Sequence, residues 1–189
     1  MSLLADRKPP PNKIHFTRLD PHAIERLAEI DRSEHITRAY EINAGLLTQV
    51  DVDWHVPNWF TEGDGDHSLS GQIAFCRSHL DKGGLLLGAL HEDLLVGIAI
   101  VRPELYAEMA QLAFLHVSRE YRRQGIAKGL MAEACQIARS AGARRIYISA
   151  TSSASTVEFY LSQGCDLADP VDPDLYTLEP QDIHLILEL

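Results

Sequence analysis

Apolar residues recur along the chain with two periods, one typical of β-strands and one typical of α-helices. Alternating or short apolar stretches predict strands at 13–19, 85–89, 94–101, 110–117, 145–150 and 183–189. Apolar residues at helical spacing, with capping residues and glycine stops, predict helices near 20–28, 70–80, 125–141 and 157–164. A tight turn at 91–93 indicates an antiparallel meander. We therefore expect a mixed chain of strands and helices with several antiparallel pairs.

Residues 38–67 show no clear period. The turn signal Asn43-Ala44-Gly45 is compatible with a hairpin, and the segment is also compatible with an irregular insertion, which is the interpretation we adopt. Asp64, Asp66 and His67 are residue types that bind metals, but the further acidic positions and the closing glutamate of a calcium loop are absent. We interpret this stretch as a solvated acidic loop and expect no metal site.

The charge balance narrows the class of partner. Among the 189 residues, 17 Lys and Arg stand against 27 Asp and Glu, which gives a formal net charge of −10. Binding to nucleic acid usually requires a basic face, so we expect no nucleic-acid partner and favour a cationic one. The longest apolar stretch, 94–101, is far shorter than the ~20 residues that cross a bilayer, so we expect no membrane partner.

Length and cysteine usage bound the organisation of the chain. Three consecutive prolines in the first 12 residues predict a disordered lead-in at 1–12, followed by a single domain at 13–189. Cys76, Cys135 and Cys165 are widely spaced and odd in number, which excludes a zinc clip and a small disulfide scaffold. A reducing, cytoplasmic location fits these cysteines best.

One contiguous stretch carries the strongest chemical signal. A predicted strand ends at Leu115-His116-Val117, and the run Arg122-Arg123-Gln124-Gly125-Ile126-Ala127 leads into a helix that begins at the glycine. The free N–H groups and positive dipole end of a helix start attract anions, and arginine adds mobile charge that can bind two phosphate oxygens. Neither a Walker loop nor a dinucleotide fingerprint is present. Spacing alone therefore favours a phosphate site only slightly over a solvated turn.

This stretch resembles the R/Q-x-x-G-x-G/A motif of the GNAT N-acetyltransferase superfamily. The segment from Thr156 to Gly164 is similar to the family's A-x-x-F-Y-x-x-x-G pattern. The match has four parts in the family's order over about residues 109–165: the strand that ends at Val117, the motif with its helix, the strand 145–150 and this last segment. The resemblance implies an α/β (α+β) fold with a mixed, mostly antiparallel central sheet of about six or seven strands and helices on both faces. It also implies that 38–67 forms part of the groove for the acetyl acceptor.

The resemblance further implies acetyl-CoA as the acyl donor. The pyrophosphate would lie on the backbone amides from Arg123 to Lys128, and the pantetheine arm would enter between two splayed strands. The implied cofactor-binding residues are Leu115, Val117, Arg122, Arg123, Gln124, Gly125, Ile126, Ala127, Lys128 and Ser153. Ser153 stands where many relatives have an asparagine that bonds the pantetheine arm.

Acetyl transfer to an amine needs a proton acceptor, because a protonated amine has no lone pair. The resemblance implies that Tyr160 is the general acid; a core tyrosine with a solvated hydroxyl is the alternative. The position that holds a glutamate base in the histone-acetylating branch is Gln111 here, and an amide is too weak a base. His116 has a suitable reference pKa and lies at the end of its strand, so it is our candidate base. The alternatives are a water chain, an amine that arrives partly neutral, or a carboxylate of the segment implied to form the acceptor groove: Glu34, Glu41, Asp51 or Asp53.

Two functions stay open on the sequence alone. The first is an N-acetyltransferase acting on a primary amine of a small molecule or peptide. The second is a CoA-binding sensor or interaction module of the same fold without turnover, which Gln111 motivates. The alternating strand 183–189 fits a homodimer contact or an ordinary sheet strand, and Trp54 and Trp59 fit an acceptor pocket or a small satellite core.

Overall fold

The computed structural model describes residues 14–63, 65 and 67–189. The predicted lead-in at 1–12, together with Asp64 and Asp66, lies outside the described residues. The strands are β1 (Ile14–Arg18), β2 (Glu34–Asn43), β3 (Leu46–Val56), β4 (Leu85–His91), β5 (Leu94–Tyr106), β6 (Met109–Val117), β7 (Arg145–Ala150), β8 (Asp166–Leu167) and β9 (Ile183–Glu188). The helices are α1 (Leu69–Asp81), α2 (Ile126–Ser140), α3 (Ala154–Ser162) and α4 (Pro173–Leu178), with 3-10 segments at Pro21–Glu29 and Arg119–Tyr121.

Seven of the strands form one sheet in the order β1-β4-β5-β6-β7-β9-β8. Every neighbouring pair is antiparallel except β6 and β7, which run parallel because α2 connects them as a crossover. This sheet confirms the expected mixed, mostly antiparallel architecture. The two-residue strand β8 and the six-residue helix α4 escape prediction because they are too short to show a period.

Helices cover both faces of this sheet, as expected. One apolar cluster joins α2 and α3 to one face and includes Leu130 and Val157. A second cluster joins the 3-10 helix and α1 to the opposite face through residues such as Ile24 and Ile73. Within the described part of the chain, no helix combines the length and the apolar character needed to span a membrane.

The first predicted helix has 3-10 geometry. The Asp20 carboxylate caps it by accepting a hydrogen bond from the His22 N–H at 2.8 Å, and Pro21 lies in its first turn. Its buried residues, Ile24 and Leu27, are three positions apart, which matches the three residues per turn of a 3-10 helix. The predicted position is therefore confirmed, and the helix type differs.

Residues 34–56 form a separate two-stranded sheet, the hairpin of β2 and β3. Ala44 and Gly45 join the strands with φ values of 52° and 78°, which is the geometry of a type I′ turn. The adopted interpretation of 38–67 as an irregular insertion is therefore wrong for this part, and the hairpin alternative is correct. The strand signal is weak because exposed residues occur on both faces of the hairpin.

The two tryptophans of this segment have different environments. Trp59 is buried in the cluster that contains α1, so it packs the segment onto the sheet. Trp54 lies on β3 and is 44% exposed. The satellite-core alternative is thus confirmed for Trp59 and not for Trp54.

Candidate active site

A gap opens in the sheet between β6 and β7. The two strands pair from Met109 and Arg145 only as far as Leu112 and Ile148, although both continue beyond this point. Each strand keeps its outer neighbour to its last residue. The register of β6 against β5 shifts at Ala113, and a bulge of this kind bends a strand. We call the space between the unpaired ends of β6 and β7 the strand gap; it matches the splay that the family resemblance implies.

The basic loop, residues 118–125, leads from the end of β6 to the start of α2. Gly125 closes the loop with φ +83°, a left-handed conformation that glycine adopts without strain. No side chain of the described residues caps α2, so its first-turn N–H groups are available to a ligand. These amides and the positive end of the helix dipole fit a phosphate group.

Arg122 has a different environment from the predicted one. Its guanidinium donates hydrogen bonds to the Val117 carbonyl at 3.1 Å, the Glu34 carboxylate at 3.0 Å and the Arg32 carbonyl at 2.9 Å. The prediction of a mobile charge at Arg122 is therefore wrong, because this side chain ties the basic loop to the start of β2. The side chain of Arg123, by contrast, is exposed to solvent.

The remaining residues implied for the cofactor differ in what they can offer. Three of them pack their side chains into the α2 cluster and can offer only backbone groups: Leu115, Val117 and Ile126. Gln124 donates its side-chain amide to the Glu120 carbonyl at 3.1 Å, Ala127 is half-buried and Lys128 is exposed. The candidate anion site therefore consists mainly of backbone amides, with charged side chains beside them.

Ser153 is fully buried at the start of α3. Its hydroxyl accepts a hydrogen bond from the Thr156 N–H at 3.3 Å and donates one to the Thr156 hydroxyl at 2.9 Å, so it caps the helix. The backbone of Ser153 also forms an isolated bridge with Ala39 of β2. The structure gives this hydroxyl a capping role, which differs from the predicted contact with the pantetheine arm.

The hairpin lies across the open end of the strand gap. The Glu34 carboxylate accepts hydrogen bonds from Arg122 in the basic loop at 3.0 Å and from the Ser155 hydroxyl of α3 at 2.8 Å. The Tyr40 N–H donates to the Ser152 carbonyl, which follows β7, at 2.8 Å. Glu34 therefore links the segment that follows β6 to the segment that follows β7.

Tyr160 lies on α3 inside the α2 cluster and is 4% exposed. Burial raises the pKa of its hydroxyl above the usual range, and the nearby Cys165 and Asp182 raise it further. The hydroxyl therefore stays protonated at neutral pH, which a general acid requires. The role implied by the resemblance stays a prediction.

His116 faces the cluster of the 3-10 helix and α1. Its ring centroid lies 4.7 Å from that of Phe114 and 5.3 Å from that of Trp59, and the Arg32 guanidinium lies over the Trp59 ring. Burial, together with Arg32 and Arg122, lowers the pKa of the imidazole to about 4. A base with so low a pKa accepts an amine proton poorly. The proposed base role of His116 stays a prediction, and its surroundings argue against it.

Two acidic residues without a sequence motif lie at the end of the sheet where the strand gap opens. Glu179 and Asp182, which we call the acidic corner, lie between α4 and β9. Asp182 directly precedes Ile183, whose strand partner is Ala150, the last residue of β7. Burial and the neighbouring Glu179 raise the pKa of Asp182 to about 7, and burial also raises the pKa of Glu179.

Ser149 belongs to the same polar surroundings. Ile148 and Ala150 pack into the α2 cluster, so Ser149 between them points to the opposite face, which is also the face of His116. Its hydroxyl is buried beside the Glu179 carboxyl, and hydrogen bonding between the two offsets part of the rise in the pKa of Glu179. Polar groups of β6 and β7 thus share one face on the two sides of the strand gap.

A neutral histidine holds the acidic corner in place. The Nε2 of His184 donates to the Glu179 carbonyl at 3.1 Å, and its Nδ1 accepts from the Tyr147 hydroxyl at 3.0 Å. The Tyr147 oxygen in turn accepts the N–H of Asp172 at 3.0 Å. Burial lowers the pKa of His184, which favours the neutral imidazole that this pattern requires.

Comparison with known proteins identifies the family. The profile described as the Acetyltransferase (GNAT) family matches residues 50–165. No curated protein matches the sequence.

Solved structures agree in fold. The chain is similar to nourseothricin acetyltransferase (TM-score 0.69, 18% identity, 93% of this chain and 98% of that one). It is also similar to a putative streptothricin acetyltransferase from Bacillus anthracis in complex with acetyl coenzyme A (TM-score 0.68, 17% identity, 93% of this chain and 98% of that one). A third similar structure is PaiA N-acetyltransferase from Thermoplasma acidophilum in complex with coenzyme A (TM-score 0.59, 19% identity, 93% of this chain and 99% of that one). Because the family profile spans more than half of the sequence, the chain belongs to the acetyltransferase (GNAT) family and is an enzyme of the N-acetyltransferase class.

Proposed function

We propose that this protein transfers an acetyl group from acetyl-CoA to a primary amine of a small molecule or peptide, by direct attack of the amine on the thioester. The strand gap carries the proposal, because pairing between β6 and β7 ends at Leu112 and Ile148 on the side where the basic loop begins. An extended thioester arm needs such a slot, and its pyrophosphate needs the free amides of α2. Two similar structures hold acetyl-CoA or CoA, which supports the same donor here.

Backbone groups would hold most of the donor. The amides from Arg123 to Lys128 would bind the pyrophosphate, with the exposed charges of these two side chains beside it. The edge of β6 near Leu115 and Val117 has lost its partner strand. The Val117 carbonyl accepts from Arg122, and the other backbone polar groups of this edge would bind the pantetheine arm. A site of this kind depends little on the identity of its side chains. The exception is position 125, where glycine allows the left-handed conformation of the loop.

The acid and the base would be Tyr160 and Asp182. Bound acetyl-CoA supplies an activated acetyl carbonyl and a thiol leaving group. The Tyr160 hydroxyl, which its surroundings keep protonated, would donate a proton toward the sulfur. Asp182, with a pKa of about 7, would accept the proton that the amine must lose. Neighbouring groups whose pKa values are shifted in this way are a common basis for acid and base roles in enzymes.

The acceptor would be cationic before it reacts. An amine with a reference pKa of about 10.4 arrives protonated at neutral pH, and carboxylates attract it. The acidic corner offers two carboxyl groups, and the stretch 41–66 contains acidic residues and no Lys or Arg. Two similar structures are named as acetyltransferases of nourseothricin and streptothricin, and we infer a small-molecule or peptide amine for this chain as well.

The surroundings of the reaction follow from other features. The three cysteines are free and buried, which supports a reducing, cytoplasmic location. The net charge of −10 argues against a nucleic-acid acceptor. The last strand lies between β7 and β8 in the sheet, so an ordinary sheet position explains its alternation without a homodimer contact.

Thiol release tests this proposal. The purified protein with acetyl-CoA and a panel of primary amines should release free thiol, and mass spectrometry should find the acetylated amine. The matched control replaces each amine with the alcohol of the same carbon skeleton, which should release none. Failure to bind acetyl-CoA in calorimetry would contradict the proposal.

The alternative of a sensor without turnover predicts acetyl-CoA binding without thiol release across the whole panel. The residue that motivated this alternative does not support it. Gln111 is buried in the paired part of β6, before the strand gap, and accepts a hydrogen bond from Arg102 at 3.1 Å. Its identity therefore reflects packing within the sheet and gives no sign of lost catalysis.

A further inference from the structure

Three side chains of metal-binding type meet on the exposed face of the hairpin. His35 of β2 and His55 of β3 are direct cross-strand partners, and Asp53 lies two positions before His55 on the same strand. The Asp53 Oδ1 lies 2.7 Å from His35 Nε2 and 3.6 Å from His55 Nε2. The two imidazole rings are stacked with centroids 4.1 Å apart and planes 9° apart.

We propose that His35, Asp53 and His55 bind one divalent transition-metal ion of the Zn²⁺ type, with water completing the coordination. Two imidazole nitrogens and one carboxylate oxygen suit Zn²⁺, Cu²⁺ or Ni²⁺ better than Mg²⁺ or Ca²⁺, which prefer oxygen ligands. The proposed site differs from the loop around Asp64 and Asp66, whose metal-binding residue types the sequence analysis considered. The proposal therefore revises the expectation that the protein binds no metal.

The donor spacing is close to that of a single-ion site. Two ligand atoms at about 2.0–2.2 Å from one metal ion lie at most roughly 4.4 Å apart, and both distances to Asp53 are below this limit. All three donor atoms lie within 4.8 Å of one another. The remaining adjustment is a rotation of the two imidazoles toward the ion, which their exposure permits.

The hairpin backbone holds these ligands together without the ion. Directly opposed residues of an antiparallel pair have Cβ atoms about 4.5–5.5 Å apart, so the Cβ atoms of His35 and His55 remain close while the strands stay paired. Asp53 approaches both imidazoles, so the three donor groups already converge on one point. A shared metal ion would use these same three groups.

The position of the site gives it a mechanical effect. It lies at the open end of the hairpin, where Glu34 precedes His35 and bridges Arg122 and Ser155. A metal ion would fasten β2 to β3 at the point where the hairpin joins the rest of the chain. The proposal rests on the hairpin alone and does not depend on the proposed function.

Titration with Zn²⁺ tests the site. Protein purified without a polyhistidine tag and stripped of metal should bind one Zn²⁺ per chain in calorimetry. His35→Ala and His55→Ala should each weaken binding by about tenfold or more, and Asp53→Asn should weaken it by a smaller factor. The matched control is His22→Ala, which removes another exposed histidine and should leave the affinity unchanged.

Hydrogen exchange gives a second readout. Zn²⁺ should slow amide exchange in β2 and β3 of the wild type and not in His35→Ala, whose circular dichroism should match the wild type. No binding up to millimolar Zn²⁺, or equal affinity in the wild type and both histidine variants, would overturn the proposal. In that event the three side chains form only a hydrogen-bonded surface cluster.

Discussion

The basic loop and the acidic corner lie at the same end of the sheet, by the strand gap, yet they are built in different ways. The basic loop is one contiguous segment whose candidate binding groups are backbone amides. The acidic corner comes from the segment before β9 and reaches the gap only through the register of β9 against β7. Under the proposed function, donor binding would depend on local backbone geometry, and acceptor binding would depend on side chains that tertiary structure brings together. We expect substitutions at the acidic corner to change catalysis or acceptor choice without affecting the affinity for the donor.

Removing the proposed base should have the largest effect. Asp182→Asn should lower kcat about a hundredfold with an unchanged KM for acetyl-CoA, since a general base contributes roughly 10² to 10⁴ in rate. In the wild type, kcat/KM for the amine should rise through an inflection near pH 7, and this inflection should vanish in the variant. The control is Asp174→Asn on α4, which removes the same charge from an exposed site. An inflection that persists in Asp182→Asn would assign the base to another group.

The next largest effect tests the acid on the α2 side of the sheet. Tyr160→Phe should lower kcat about thirtyfold and leave acetyl-CoA binding unchanged, because the ring still packs while the proton donor is lost. Tyr176→Phe on α4 is the matched control, since that ring is half-exposed. Equal turnover by the wild type and Tyr160→Phe would restrict Tyr160 to a packing role.

A substitution in the basic loop should affect the donor alone. Gly125→Ala puts a side chain on a left-handed residue at a cost of roughly 1–2 kcal/mol, so the loop should shift and KM for acetyl-CoA should rise about tenfold. Gly142→Ala is a close control at the other end of α2, with φ +91° and no atom within 4 Å of the added carbon, as at Gly125. It should lose similar stability and keep its KM. Equal KM changes in both variants would place the donor elsewhere.

Asp182→Asn should raise the stability of the protein at pH 8, although it lowers activity. Its raised pKa means that the folded chain holds this proton more tightly than the unfolded chain. The free energy of unfolding therefore falls as pH rises from about 3.9, the unfolded value, to about 7, the folded value. At pH 8, the free energy of unfolding of Asp182→Asn should exceed that of the wild type, because the variant buries no charge at this position. The expected gain is on the order of 1 kcal/mol, since solvent screens part of the pKa shift. Denaturant unfolding at pH 8 and below pH 4 should show this gain only at pH 8.

The smallest effect is expected at His116. His116→Gln should change kcat less than about threefold, because an imidazole with a pKa of about 4 is already neutral and is a weak base. Rate profiles from pH 4 to 9 check this expectation. A large loss of kcat together with loss of the neutral-pH inflection would move the base role from Asp182 to His116.

The parts that could be predicted from the sequence are those built locally. The strand, the basic loop and α2 follow one another directly, so their spacing predicts a combined anion site. Arg122 shows where this reasoning stops. Its partners Glu34 and Arg32 lie 88 and 90 positions away, and no period in the sequence reports such a contact. Ser153 shows the same limit. Its capping hydrogen bonds are local, whereas its backbone bridge with the distant Ala39 leaves no pattern in the sequence.

The sequence did not clearly predict the acidic corner or the hairpin, and the reasons are related. Asp182 looks like a solvated loop residue, because its burial results from long-range strand pairing and from the short helix α4. The hairpin lacks the alternation that normally marks strands, because neither face is fully covered. In contrast, strand β5 is buried on both faces and leaves a continuous apolar run, and α2 buries one face and leaves a helical period.

The tie between Arg122 and Glu34 has a thermodynamic consequence for the two substrates. One guanidinium holds the Val117 carbonyl beside the strand gap, the Arg32 carbonyl and the Glu34 carboxylate at the hairpin. Ligands bound at the loop and beside the hairpin therefore share one set of contacts, and binding free energies that are linked in this way are reciprocal. Under the proposed function, the factor by which acetyl-CoA changes the affinity for the amine equals the factor by which the amine changes the affinity for acetyl-CoA.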